Sequence, residues 1–202
     1  MKPEAPIAPS NPGVEPNRES ALLERCRAGD TRAYQELVER HQDRAYALAL
    51  RIVRSPSDAE EIAQDAFVKA WLAIREFRGE SAFGTWLHRI VVRRALDRAE
   101  SLRARGAREE PLEPESDAGG GEGAAVAPGP ESSDARRLAH LMDALPAAQR
   151  AALSLHYYEN RSVTEIAAML DMPEGTVKTN MSRGRATLRQ AWVRTERTEW
   201  KP

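Results

Sequence analysis

Between Gly106 and Pro130 the chain reads GAREEPLEPESDAGGGEGAAVAPGP, a stretch of Gly, Pro, Ala and acid with no apolar periodicity. A segment of that composition buries too little apolar surface to offset the entropy of ordering it, so it reads as a flexible linker. The 202 residues are thereby split into two foldable stretches. Charged residues at 30% and aromatics at only 5% also favour small, surface-rich helical units over one large core. Neither stretch shows the alternation of a β-strand, and no internal repeat is present. The expected fold class is all-α, with two small helical domains on a tether.

The N-terminal stretch follows a proline-rich start. Five prolines in the first sixteen residues oppose helix and strand, so residues 1–18 are expected to form a disordered arm, with folding from Glu19. Asp30 is a helix cap, and apolar residues recur from Tyr34 through Leu37, Ala45, Leu48 and Ile52 to Val53. Ser55-Pro56 stops that helix. Ser57 with Glu60 reads as a capping box that opens DAEEIAQDAFVKAWLAIREF, helical to about Phe77 with Ile62, Ala66, Ala70 and Ile74 inward. After the loop at Arg78-Gly79-Glu80, Ser81 leads a further helix through Phe83, Trp86, Leu87, Ile90 and Val91 to about Arg103.

Beyond the linker a helix resumes near Asp134 with Leu138, Leu141, Met142 and Leu145, and Pro146 punctuates it before another through Leu153 and Leu155. The segment SVTEIAAMLDMPEGTVKTNMSRGRATL then reads as two short helices broken at Asp171-Met172-Pro173. Ser162 and Glu165 form a capping box for the first, burying Ile166, Ala167 and Leu170. Pro173 suits the first position of the second, with Glu174 favourable to its dipole. On that helix Val177, Met181, Gly184 and Leu188 share one side, the core face. Gly175, Thr176, Lys178, Thr179, Ser182, Arg183 and Arg185 lie on the opposite side or flank it. Five basic residues against one acid between Glu174 and Arg194 suit phosphate neutralisation, and the first turns suit base-edge contacts in a major groove. This is the plan of a helix-turn-helix.

Net charge is only -1, but it is segregated: residues 21–99 sum to +2, 100–134 to -6 and 135–202 to +4. The lone Cys26 excludes an internal disulfide and has no clustered partner for a metal. Four scattered histidines, His41, His88, His140 and His156, form no zinc-helix motif, and no glycine-rich phosphate loop follows a strand. No enzyme, cofactor or metal is therefore expected. No apolar run approaches a membrane span, and MKPEAPIAPSNPGVEP lacks the apolar stretch of a signal peptide, so no membrane insertion and a cytoplasmic location are expected.

From Phe77 to Ile90 the segment FRGESAFGTWLHRI interleaves aromatic, basic and hydroxyl residues, and six arginines stand between Arg75 and Arg98 against three acids. That mixture suits a single-stranded backbone with unstacked bases. Phe77, Phe83 and Trp86 read as core; the loop from Arg78 to Ala82 and the arginines beyond it read as functional.

Together DAEEIAQDAFVKAW, FRGESAFGTWLHRI with ALD after it, and GTVKTNMSRGRATL resemble the extracytoplasmic-function group (group IV) of bacterial sigma-70-family sigma factors. The resemblance covers about residues 20–100 and 134–193. It implies a region 2 domain over 19–105, a flexible acidic linker over 106–133, a region 4 domain over 134–194 and a tail over 195–202. It also implies that core RNA polymerase, through the largest-subunit clamp helices and the flap, is a partner, with Asp58, Glu60, Glu61, Gln64 and Asp65 as the docking residues. Acids in a first helical turn also stabilise the helix dipole, so those residues have a local role as well. Arg78, Gly79, Glu80, Ser81, Arg89, Arg93 and Arg94 would act in minus-10 melting, with Arg93 standing where family members commonly carry Asn. Gly175, Thr176, Lys178, Thr179, Ser182, Arg183 and Arg185 would read the minus-35 duplex. An anti-sigma factor is the further partner implied. The linker, with eight acids and no base from Glu109 to Asp134, is expected by its charge to follow the polymerase channel normally occupied by RNA. The alternative is a helix-turn-helix regulator that is not a sigma factor. A response regulator would leave the first hundred residues unexplained, since they lack the alternating strands and phospho-acceptor site of a receiver domain.

Overall fold

The structure, a computed structural model, describes residues 15–106 and 133–199; the arm up to residue 14, the linker from 107 to 132 and the last three residues lie outside the described residues. The N-terminal stretch holds α1 (Glu15–Arg27), α2 (Thr31–Val53), α3 (Pro56–Ala73), a 3₁₀ turn (Ile74–Glu76) and α4 (Phe83–Gly106). The C-terminal stretch holds α5 (Ser133–Asp143), α6 (Ala147–Tyr157), α7 (Val163–Leu170) and α8 (Glu174–Glu199). No strand occurs among the described residues.

Several boundaries differ from those expected, each for a local reason. Helix α1 begins at Glu15, inside the expected arm, because Pro16 then falls in the first turn, where a missing N–H costs nothing. Helix α3 is capped by Ser55 rather than Ser57. Ser55 has extended backbone and its Oγ accepts from the Asp58 N–H at 3.3 Å, while Pro56 pre-sets the first turn and draws Ser57 into the helix. Glu60 then accepts from the Gln64 amide at 3.2 Å instead of closing a box. Helix α3 ends at Ala73 and tightens into the 3₁₀ turn, and α4 starts at Phe83, with the Ala82 carbonyl accepting from Thr85 and Trp86. Helix α8 continues to Glu199, so the expected tail is helical over most of its length.

Asp30 caps α2 as expected, accepting from the backbone of Arg32 and Ala33. Leu37, Ala45, Leu48, Ala49 and Ile52 of α2 are fully buried against α1, α3 and α4. The three aromatics of the Phe77–Ile90 segment join this core, with the Phe77 and Trp86 rings 4.9 Å apart and Phe83 wholly buried.

In the C-terminal unit α6 and α8 approach closely at Gly184. A Cβ there would lie 2.9 Å from Leu153 Cδ1 and 3.5 Å from Gln149 Cβ, so glycine tolerates the contact at the cost of helix propensity. The two units are packed against each other: α6 lies on α2 and α4, and α7 lies on α4. Buried apolar side chains from both units form one continuous cluster.

His88 of α4 is buried at the margin of this contact, at 3% exposure. Neither ring nitrogen makes a hydrogen bond, and the nearest acid is Glu159 Oε2 at 3.5 Å from Nδ1. Burial, then the charges of Arg161, His41, Arg44 and Arg51, push its pKa down to about 4. The folded chain therefore binds fewer protons than the unfolded chain as pH falls through the mid-sixes. The neutral imidazole's contribution is complete above the unfolded value and is lost towards pH 4, amounting to roughly 3 kcal/mol. Urea titrations between pH 8 and pH 4.5 should show this loss, and His88→Gln should flatten it. Gly184→Leu should lower stability by about 1–3 kcal/mol in the same assay, while Gly184→Ala stays near neutral, because Leu153 can turn away from one methyl but not from an isobutyl group.

Candidate nucleic-acid interface

The reading element is built from the chain outward. Ser162 Oγ accepts from the Glu165 N–H at 3.2 Å, and Glu165 accepts in return from the Ser162 N–H at 2.9 Å, so the capping box forms in full. The Ser162 backbone and hydroxyl hold the Glu165 carboxyl below its usual pKa. Asp171 ends α7 in the left-handed region at φ 54°, its N–H returning to Ala167 O. The Met172 N–H is also bonded to Ala167 O, at 3.0 Å. The Pro173 carbonyl accepts from Thr176 and Val177 to start α8. Thr164 of α7 donates to Glu174 of α8 at 2.7 Å, fixing the angle between the pair. No local pattern encodes that bond, because it joins residues ten apart that only the turn brings together.

Val177 and Met181 are buried beneath α8, with Gly184 against α6 and Leu188 half-buried. Gly175, Thr176, Lys178, Thr179, Ser182, Arg183 and Arg185 are all exposed. Thr179 donates its hydroxyl to Gly175 O at 2.8 Å, and Lys178 lies 3.6 Å from Glu174. Arg183 and Arg185 make no ion pair among the described residues. The result is an outward basic and hydroxyl face on a rigid helix, suited to phosphates and to base edges.

In the N-terminal unit the residues expected at the minus-10 strand divide into three groups. Arg78, Gly79 and Glu80 are exposed on the loop, where Gly79 takes φ +76°, and Ser81 is half-buried. The neighbouring loop end is held by Arg27, which donates to Phe77 O at 2.6 Å. Arg93 is exposed on α4 and lies 3.9 Å from Asp171, whereas Arg89, four residues before it, is half-buried with its Nε enclosed and without a hydrogen-bond partner. Arg94 is turned aside and ion-paired with Asp65 of α3.

The residues expected to dock on polymerase divide as well. Asp58 is buried and accepts from Arg98 Nε at 2.8 Å, so it ties α3 to α4. Asp65 is likewise engaged, by Arg94. Glu60, Glu61 and Gln64 face outward. Val68 and Leu72, apolar and so outside the expected polar set, continue that face at steps of four and are 59% and 74% exposed. In the sequence they fall outside the helical spacing of the inward Ile62, Ala66, Ala70 and Ile74, which marks them as outward.

Two family models match the chain, Sigma-70 region 2 over residues 37–105 and Sigma-70, region 4 over 135–188. The RNA polymerase sigma-H factor of Pseudomonas aeruginosa is 34% identical over 187 residues, spanning 86% of this chain and 93% of its own. The chain belongs to the sigma-70 family. Within it the extracytoplasmic-function group is the match: the ECF RNA polymerase sigma-E factor of Escherichia coli K12 is 34% identical over 177 residues, 84% of this chain and 92% of that one. Among solved structures, CnrH in complex with the cytosolic domain of CnrY aligns with a TM-score of 0.57 at 25% identity, over 86% of this chain and 96% of that one. The sigma factor RpoE of Bartonella quintana, solved with the anti-sigma factor NepR, shares the fold at a TM-score of 0.60 and 23% identity, over 79% and 96% of the two chains. This sigma factor accordingly has the two helical units of its family, and no described helix is long and apolar enough to cross a membrane.

Arg183→Ala should weaken binding to a duplex carrying the minus-35 element by about tenfold, and Lys178→Ala should lower affinity more evenly across sequences. Fluorescence anisotropy at several salt concentrations separates the two, since loss of a phosphate contact reduces the salt slope by about one.

Proposed function

We propose that this sigma factor uses the outward face of α8 to read the minus-35 duplex while the loop from Arg78 to Ser81, with Arg89 and Arg93, captures the minus-10 strand. The observation that carries the reading is the exposure of all seven α8 residues on one side of a helix whose other side is buried. In this reading residues 19–105 form the region 2 unit and 134–194 the region 4 unit, joined by the acidic linker. Arg94, committed to Asp65, acts as a brace between α3 and α4 that holds the open face of α4 in place.

Core polymerase is the catalytic partner. The outward face of α3 offers acids at Glu60 and Glu61, an amide at Gln64 and an apolar end at Val68 and Leu72, so polar and apolar contacts are both available to a protein partner. Asp58 supports this face from beneath through Arg98. An anti-sigma factor of the kind solved with the Bartonella protein is the proposed regulator, and the cytoplasm is the proposed compartment. Two modest DNA contacts on one chain gain from effective concentration once polymerase fixes their separation.

Purified protein added to core polymerase on genomic DNA should direct initiation at discrete starts sharing upstream elements; starts identical to those of core alone would refute the reading. Leu72→Glu should cut that promoter-specific transcription at least tenfold while leaving affinity for the minus-35 duplex unchanged.

A further inference from the structure

The loop from Arg78 to Ala82 is held at both ends by a helix that precedes the region 2 match. That match begins at residue 37, whereas α1 covers Glu15–Arg27. Leu22, Leu23 and Cys26 are buried, so apolar contact already attaches α1 to the N-terminal unit. Its charged residues are free for another task. Glu19, Leu23 and Arg27 follow one another at steps of four and share one stripe of the helix.

At the entry to the loop Arg27 donates to the Phe77 carbonyl at 2.6 Å, and its guanidinium carbon lies 6.0 Å from the centre of the Phe77 ring. Glu24, one turn back, is ion-paired with the same guanidinium. With both partners engaged, Arg27 is a holder of the chain rather than a cation left for phosphate. At the exit Glu19 lines the same cleft as Ala82 and Gly84. Its carboxylate lies 3.4 Å from His41 Nε2 of α2. The His41 ring meets the start of α4 directly: it packs edge-on to Phe83 at 5.2 Å, and a Cβ on Gly84 would come within 3.2 Å of His41 Cε1. His41 first, with Arg40 and the Phe83 N–H adding to it, holds the Glu19 carboxyl below its usual pKa against the opposing effect of burial. That N–H is one of the first-turn donors that a helix cannot satisfy internally.

Two fixed ends dictate what happens between them. The Phe77 and Phe83 rings are 6.2 Å apart, although the six residue steps joining them could extend to about 20 Å. Residues 78–82 therefore bow outward, turning at Gly79 with φ +76° and leaving Arg78, Gly79 and Glu80 exposed. A loop whose ends are already fixed has less entropy to lose when a strand orders it.

We propose that α1 is a bracket for this loop: Arg27 fixes its entry at the Phe77 carbonyl, and Glu19, seated against His41, fixes its exit at the start of α4. Both are positioning residues that act on the minus-10 strand through the loop and do not touch DNA. The proposal rests on the reading of the loop as the minus-10 surface.

Paired substitutions at each end test it. Arg27→Met and Glu19→Leu remove the two contacts, while Arg27→Lys keeps a donor for the Phe77 carbonyl and Glu19→Gln keeps an acceptor for the Phe83 N–H. In the full chain without DNA, tryptic cleavage after Arg78 should quicken about tenfold in the Met and Leu variants and stay within about twofold of wild type in the Lys and Gln variants. Cleavage after Arg44, exposed in the middle of α2, should stay unchanged in all four. With core polymerase added, affinity for a fluorescent single strand carrying the minus-10 sequence of the mapped starts should fall about fivefold in the Met and Leu variants and recover in the Lys and Gln variants. Unchanged cleavage after Arg78 overturns the bracket, and so does an equal quickening after Arg44, which marks a general loss of stability. Quickened cleavage after Arg78 with wild-type strand affinity overturns the positioning role. The two ends are independent, so either pair decides the matter if a variant at the other fails to fold. Should wild type bind a scrambled strand as well as the minus-10 strand, the minus-10 reading fails and the positioning role with it, while the proteolysis still decides whether α1 holds the loop.

Discussion

The burial of α2 is the constraint on which the rest of the molecule depends. Five of its side chains, Leu37, Ala45, Leu48, Ala49 and Ile52, have no exposure at all, and helices from both units pack around it. Burying a leucine-sized side chain stabilises by about 1.5–3 kcal/mol, so this helix outweighs any single polar contact in the chain. Its start is fixed by Asp30 and its end by the left-handed Arg54. Because that end is where Arg150 docks, the same helix that organises the N-terminal unit also receives the C-terminal one.

Charge then divides the labour between structure and recognition. Asp58 with Arg98 and Asp65 with Arg94 are spent on holding α3 to α4. Arg51, Arg54 and Arg150 are spent between the units. Among the described residues Arg183 and Arg185 on α8 and Arg78 on its loop are exposed and outside these pairs, which leaves them for the proposed recognition of a polyanion. A near-neutral chain can therefore present two basic surfaces, since neutrality is an average and binding is local.

Much of this was legible residue by residue. The capping box at Ser162 and Glu165, the cap at Asp30 and the buried spacing of Val177, Met181 and Gly184 follow from contacts within a few residues. The assignment of Phe77, Phe83 and Trp86 to the core also holds, Trp86 at its edge. The misplaced cap at Ser57 shows the limit even locally: two serines satisfied the same pattern, and the proline between them decided for Ser55. Asp58 and Arg94 could not be separated from their outward neighbours by pattern, because their partners lie forty and twenty-nine residues away.

The sequence by itself determined the helical class, the division at the Gly- and Pro-rich segment and the face of α8 that points outward, because periodicity and capping act over single turns. Only the tertiary structure decided which charges are free, that Val68 and Leu72 extend the outer face of α3, and that the two units lie on each other. Those outcomes rest on pairs such as Arg150 with Ile52 and Glu159 with Arg51, separated by about a hundred residues. No local pattern encodes such a pair; it exists only once two independently formed surfaces meet.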